Sequence, residues 1–199
     1  MGGKLLLATG NKAKVREYKS LFANLSGEVV TLAELGITTE ASEGGGSMEE
    51  NACLKAAFYA AESQMIALAD DSGLEVDALG GEPGPLSARY AGEGASDRDR
   101  IDYLLSRLEG VPWEKRTARF RCVIALAVPG GGVETRSGEC AGIITLEPKG
   151  EHGFGYDPIF YLPELGKTMA ELPLEAKNQI SHRAQAARKV CQLLERLNL

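Results

Sequence analysis

Apolar and polar residues recur along the chain with two different periods, and the change of period divides it roughly in half. Residues 4–8 (KLLLA) are almost continuously apolar, which predicts a short strand buried on both faces. The turn Thr9-Gly10-Asn11 follows, and over residues 13–25 Val15, Tyr18, Leu21 and Phe22 fall at the spacing of one helix face. Residues 28–32 predict a second strand. The glycine-rich loop Glu43-Gly44-Gly45-Gly46-Ser47 then opens a helical run over 48–63, with Leu54, Phe58 and Ala61 on one face. Residues 66–69 predict a third strand that ends at the turn-like Asp70-Asp71-Ser72-Gly73. The stretch 80–94 is dense in Gly and Pro and reads as a long surface loop, and Asp97 opens a helix running to Leu108.

Beyond residue 116 a period of two takes over. Residues 117–128 and 133–146, with Pro129-Gly130-Gly131-Gly132 between them, predict an antiparallel hairpin. After Gly153-Phe154-Gly155-Tyr156-Asp157-Pro158 comes a short apolar segment, 159–162. Pro173 introduces a closing helix over 174–197, with Val190, Leu193, Leu194 and Leu197 on one face. Strands alternating with helices, followed by a hairpin, predict an α/β fold with a mixed sheet.

Composition narrows the class. A chain of 199 residues, 44% hydrophobic and 25% charged, suits a single domain over residues 1–199, with room for two small lobes. Its 24 glycines are roughly 12% of the chain against a usual share of about 7%, without the period of collagen. The longest apolar stretches, such as 123–129, fall far short of the ~20 residues of a membrane span. The opening Met1-Gly2-Gly3-Lys4 shows no signal-peptide pattern, so a cytoplasmic protein is expected. A formal net charge of −6 argues against nucleic acid or an anionic membrane as partner but allows a small anionic ligand. Cys53, Cys122, Cys140 and Cys191 form no CxxC pair and read as free thiols. With only His152 and His182, a zinc site is not expected. Any metal should be a hard cation, Mg²⁺, held by carboxylates and ligand phosphates.

Four segments carry candidate chemistry. Thr9-Gly10-Asn11-Lys12-Ala13-Lys14 joins a strand to a helix, where backbone N–H groups and the helix dipole favour phosphate; Asn11 is equally suited to be an N-cap. Asp70-Asp71 could ligate Mg²⁺ and hold an attacking water, with Ser72 as a donor, or could form an ordinary turn; Glu43 is a second possible metal acid. Phe154-Gly155-Tyr156-Asp157 could offer a nucleobase a stacking face and an acceptor, or could anchor a loop on the core. Lys177 with His182 and Arg183, within two helical turns, could read a base edge, or could be a solvated helix face.

Together these segments resemble the inosine/xanthosine triphosphate pyrophosphatase family, which acts on non-standard purine nucleotides. The matching pieces stand in family order: LATGNKAKVREY from Leu7, ENACLKA from Glu50, ADDSGLEVDALGGEPG from Ala69, SARYAG from Ser87, ARFRCV from Ala118, GFGYDPIF from Gly153, GKTMAEL from Gly166 and KNQISHRAQA from Lys177. Three positions depart from the pattern: Ser47-Met48 stands where Thr-Phe is expected, and Ala176 replaces an acid.

The resemblance implies hydrolysis of ITP, dITP or XTP to the monophosphate and pyrophosphate, with Mg²⁺ as cofactor. It implies that Thr9, Gly10, Asn11, Lys12, Ala13, Lys14 and Lys55 bind the triphosphate. Asp71 is then the proton acceptor and a metal ligand, Glu43 the accompanying metal acid, and Ser72 a substrate contact. Phe154, Gly155, Tyr156 and Asp157 would stack on and position the purine, and Lys177, His182 and Arg183 would complete the base pocket. An elongated two-lobed structure around a long mixed sheet, an active site in the cleft between lobes and a homodimer are also implied. A nucleotide sensor without turnover would retain the loops but would not need Asp71. A pyrophosphatase for pyrimidine or modified nucleotides would retain the chemistry with a different base reader.

Overall fold

The computed structural model describes residues 3–41, 44, 46–197 and 199. Its strands are β1 (Lys4–Leu7), β2 (Glu28–Thr31), β3 (Ile66–Val76), β4 (Thr117–Ala127), β5 (Val133–Ile144), β6 (Phe160–Leu162) and β7 (Lys167–Thr168). They form one mixed sheet in the order β2-β1-β3-β4-β5-β6-β7. β1 runs parallel to β2 and β3, with Leu6 opposite Val30 and Ala67, whereas β6 is antiparallel to β5 and β7. The helices are α1 (Lys12–Leu21), α2 (Met48–Ser63), α3 (Asp97–Arg107), α4 (Leu174–Ile180) and α5 (His182–Arg196). The expected α/β class with a mixed sheet is therefore found.

The chain forms two compact units, the first from Met1–Asp71, Cys122–Gly138 and Arg183–Leu199, the second from Ser72–Arg121 and Glu139–His182. In the first, strand alternation sorts side chains between two apolar layers. Leu5, Leu7, Leu68, Cys122, Ile124 and Leu126 meet Tyr18 of α1 and Ala186, Val190 and Leu194 of α5. Leu6, Ala67, Ala69, Val123 and Ala125 turn the other way and meet Met48, Ala52, Ala56 and Ala60 of α2. The face of α2 bearing Leu54 and Phe58 is the outward one, with these two side chains 49% and 39% exposed. The helix lies alanine-side down because the strands beneath it also present alanines, so small residues meet small residues at close approach.

The second unit buries one sheet face only. Leu74, Val76, Ala118, Phe120, Ile144 and Phe160 pack with Ile101 and Leu104 of α3. On the intervening positions Arg121 pairs with Glu75 at 3.0 Å and Arg119 with Asp77 at 2.7 Å, a charged cross-strand ladder.

Four expectations about element limits are corrected. β3 continues through Asp70-Asp71-Ser72-Gly73 to Val76, because Leu74 and Val76 have a core to enter. α1 ends at Leu21, with Phe22 as its C-cap. Residues 80–94 are not simply a loop, since Gly84–Arg89 forms a 3₁₀ helix. There the Ser87 hydroxyl accepts a bond from Leu74 N at 2.9 Å and donates to Gly84 O at 2.6 Å. The closing helix breaks at Ser181, whose φ of −62° and ψ of 155° are extended, so α4 and α5 are separate.

Arg116 supports the second unit from within. It is buried and donates to Ile144 O at 2.8 Å, Leu108 O at 3.0 Å and Thr145 O at 2.8 Å. Arg116→Met removes every one of these donors, and at about 1–3 kcal/mol per orphaned acceptor it is expected to cost at least about 3 kcal/mol in urea denaturation. Arg116→Lys should recover only part of the loss, because an ammonium cannot span the guanidinium fork.

Candidate active site

Asp70 and Asp71 are neighbours in β3 and therefore point to opposite faces. Asp70 enters the layer of α1 and α5, where its side chain is 1% exposed. Its Oδ2 lies 2.8 Å from the Lys14 ammonium and 3.5 Å from the Arg183 guanidinium, which in turn bonds Glu17 at 2.6 Å. Burial opposes the charge of Asp70, but the fields of Lys14, Arg183 and Lys55 and the Lys14 hydrogen bond outweigh it. The carboxyl is held well below the usual range.

Asp71 enters the layer of α2, with its side chain 13% exposed. Asn51 Nδ2 donates to its Oδ2 at 3.0 Å, and the Lys55 ammonium stands 3.9 Å from Oδ1. Asn51 and Lys55 are four residues apart on α2 and so share a face. Here burial dominates: it raises the Asp71 pKa above the ordinary 3.8, against the lowering effects of Lys55, Asn51 and Lys14. One carboxylate is thus a fixed anion, and its neighbour is poised nearer to neutrality.

The turn after β1 realises the capping alternative. Asn11 Oδ1 accepts from Ala13 N at 2.9 Å and Lys14 N at 3.2 Å, and Thr9 Oγ1 accepts from Asn11 N at 3.2 Å. Gly10 and Lys12 are exposed beside this cap. Capping fixes the start of α1 and so places Lys14, whose bond to Asp70 uses one of three ammonium donors. Ser47 caps α2 by accepting from Glu50 N at 3.2 Å, so its departure from the family pattern leaves the helix start intact.

Among the described residues no three or more His, Cys, Asp or Glu side chains converge as a metal cage. Asp71 offers one carboxylate, while Asp70 is committed to two cations. Glu43 lies outside the described residues. A single protein carboxylate completed by substrate phosphates and water is a usual way of holding Mg²⁺, so the donor set fits that ion. The four cysteines are free thiols, as expected. No helix among the described residues is long and apolar enough to cross a membrane.

A second cluster lies in the second unit. Asp157, buried, accepts from Phe154 N at 2.9 Å and from the Lys177 ammonium at 2.5 Å. A Cβ on Gly153 would stand 2.0 Å from Asp157 Oδ2, and its φ is +75°, so only glycine fits there. Lys177 Nζ sits 5.0 Å from the Phe154 ring centroid, a cation–π distance. Phe154 and Gly155 are half-buried.

Tyr156 does not offer a stacking face: it is 4% exposed in the core, and its hydroxyl donates to Ser87 O at 2.9 Å. His182 is also buried, stacked on Phe120 with ring centroids 4.8 Å apart. The expectation that Lys177, His182 and Arg183 lie within two turns of one continuous helix fails at the Ser181 break. Lys177 and His182 belong to the second unit, whereas Arg183 belongs to the first, bonded to Glu17 and Asp70. Ser72 is half-buried on β3, next to Asp71. Residue typing overlooked Asn51 and Glu17. The i, i+4 spacing of Asn51 and Lys55 was available as a signal for the first, while nothing local marks Glu17 as the partner of a residue 166 positions away.

A family model described as the Ham1 family matches residues 5–193. The dITP/XTP pyrophosphatase of Desulforamulus reducens is 53% identical over 194 residues, spanning 98% of this chain and 96% of that one. That of Bacillus subtilis is 49% identical over 190 residues, 96% of each chain. The solved HAM1 protein from Coxiella burnetii superposes with a TM-score of 0.88 at 39% identity, over 97% of this chain and 98% of its own.

The two aspartates predict stability effects of opposite sign. A carboxyl pKa depressed by folding stabilises above the unfolded value of about 3.9, and the gain is lost as pH falls below it. Asp70→Asn should therefore destabilise at neutral pH, by about 3–5 kcal/mol because it strands a buried cation. A raised pKa acts in reverse, as a penalty that is absent in acid and complete once pH exceeds the folded value. Asp71→Asn should raise Tm at pH 7, by about 2–4 °C per kcal/mol relieved, and leave it unchanged below about pH 3.9. Thermal scans of both variants at two pH values check the signs.

Proposed function

The chain belongs to the Ham1 family, and on that premise we propose that it hydrolyses the non-standard purine nucleoside triphosphates ITP, dITP and XTP. The products are the nucleoside monophosphate and pyrophosphate, and the reaction removes these nucleotides before they enter DNA or RNA. The observation that carries this reading is Asp71: a largely buried carboxyl with raised pKa, oriented by Asn51 and flanked by the Lys55 ammonium. Sensing alone has no use for a base tuned in this way.

Water attacks the α-phosphorus as the α–β anhydride bond breaks, and Asp71 accepts the proton that the water gives up. Lys14 and Lys55 hold phosphate oxygens and offset charge on the departing pyrophosphate. Lys14 is already fixed by Asp70, so its ammonium needs little reorganisation when the substrate arrives. Arg183, itself bonded to Glu17, holds Asp70 in place and so acts on the phosphate side. The purine is assigned to the half-buried Phe154 ring, backed by Lys177 and Asp157. We assign Mg²⁺ to Asp71, with Glu43 as the second acid; when bound it offsets phosphate charge and polarises phosphorus. A homodimer is the proposed assembly, testable by analytical ultracentrifugation.

Pyrophosphate release from ITP, XTP, dITP, GTP and ATP tests the reading. Turnover of the first three, well above GTP and ATP and abolished by EDTA until Mg²⁺ is restored, is the expected result. No turnover of any purine triphosphate overturns it. Asp71→Asn should lower kcat by about 10²–10⁴-fold, the usual contribution of a general base. In the wild type kcat should fall on an acid limb as Asp71 takes up a proton, and the variant should lack that limb.

A further inference from the structure

We propose that Asp97 is a positioning residue for base recognition, bracing the Phe154 loop from the start of α3. The inference rests on the reading of that loop as the purine-holding element. Two consecutive backbone amides of the loop are each held by a carboxylate. Phe154 N donates to Asp157 at 2.9 Å, from within the loop, and Gly155 N donates to Asp97 Oδ2 at 2.7 Å, from another element. Asp97 is itself well placed, because Ser96 and Asp99 close a capping box around it: Asp99 N donates to Ser96 Oγ at 3.2 Å and Ser96 N to Asp99 Oδ2 at 2.9 Å.

The second oxygen of Asp97 pairs with Arg100, and Arg100 Nη1 donates to Ala88 O at 2.6 Å. Ser87, next to Ala88, accepts the Tyr156 hydroxyl at 2.9 Å and is tied to β3 through Leu74 N. The loop is therefore held twice against residues 84–89, once through Tyr156 and once through Asp97 and Arg100. These ties give a purpose to the SARYAG segment, which the hydrolytic chemistry leaves unused.

Gly155, at φ +62° and without a side chain, is a point at which the loop can deform. A charge-assisted bond to its amide removes that freedom and fixes the Phe154 ring. Discrimination against guanine depends on an unmet or crowded contact, which operates only while the ring cannot shift to relieve it.

The test compares Asp97→Ala with Asp97→Asn, which keeps an acceptor oxygen for Gly155. Steady-state kinetics on ITP, XTP and GTP are measured beside hydrogen–deuterium exchange of the nucleotide-free protein. In Asp97→Ala, KM for ITP should rise about tenfold with kcat within about threefold, and the ITP:GTP ratio of kcat/KM should fall about tenfold. Exchange over residues 153–157 should quicken at least about tenfold as the amides open. Asp97→Asn should stay near wild type in each. Should Asp97→Ala fail to fold, Arg100→Met, which removes the Asp97 ion pair and the link to Ala88 but leaves the Gly155 bond, should lower the same ratio. An unchanged ITP:GTP ratio, an equal loss of kcat on every substrate, or unchanged exchange over 153–157 overturns the proposal. If the wild type turns over no triphosphate, the nucleotide reading fails with it, and exchange alone then judges the brace.

Discussion

A β-strand turns successive side chains to opposite faces, and at residues 70 and 71 that alternation falls on two carboxylates. Side by side on one face they would share a field, and neither could be tuned without the other. Placed back to back, they meet different helices. Asp70 meets Lys14 of α1 and Arg183 of α5, two cations in a buried setting, and is held ionised. Asp71 meets Asn51 and Lys55 of α2, with burial the stronger influence, and its affinity for a proton rises. The rest of the first unit follows from this division: α1 must start where Asn11 caps it so that Lys14 reaches Asp70, and α2 must lie alanine-side down so that Asn51 reaches Asp71.

The second unit solves a different problem with the same chemistry. The loop around Phe154 is irregular, yet its backbone amides need partners. Carboxylates supply them, Asp157 from within the loop and Asp97 from α3, and Lys177 offsets the first of these charges. Gly153 leaves room for the Asp157 carboxylate to turn inward. The excess of glycine in the composition thus has at least one definite cause here, which is room for a protein carboxylate.

The regular elements were legible because they follow local pattern. β1, α2, the β4–β5 hairpin and α3 begin and end within a few residues of where periodicity and turn residues put them. Asp-Asp-Ser-Gly looked like a turn because its composition is that of turns; it is strand because Leu74 and Val76 beyond it are drawn into a core that no local window contains. Lys177, His182 and Arg183 read as parts of one continuous helix because Ser181 carries no breaking signal such as Gly or Pro, yet its extended backbone divides α4 from α5. Tyr156 and Phe154 are both aromatic, and nothing local marks Tyr156 as the one that anchors in the core. Bonds such as Arg183 to Glu17 and Gly155 to Asp97 join residues far apart in the chain and leave no local trace.

The back-to-back aspartates also bear on how β3 finds its place beside β1. Ala67, Leu68 and Ala69 are buried on both sides, so hydrophobicity would tolerate the strand displaced by one residue nearly as well as in its native alignment. Charge does not permit this. A one-residue slip would drive Asp71 among Lys14, Arg183 and Tyr18 and carry Asp70 away from the two cations that pair with it. The penalty for an uncompensated buried carboxylate is several kcal/mol. Asp70 therefore acts as a key in the sheet. The ion pairs that hold Asp70 ionised also reject the misaligned strand, so the folded chain keeps Asp71 on the side of α2.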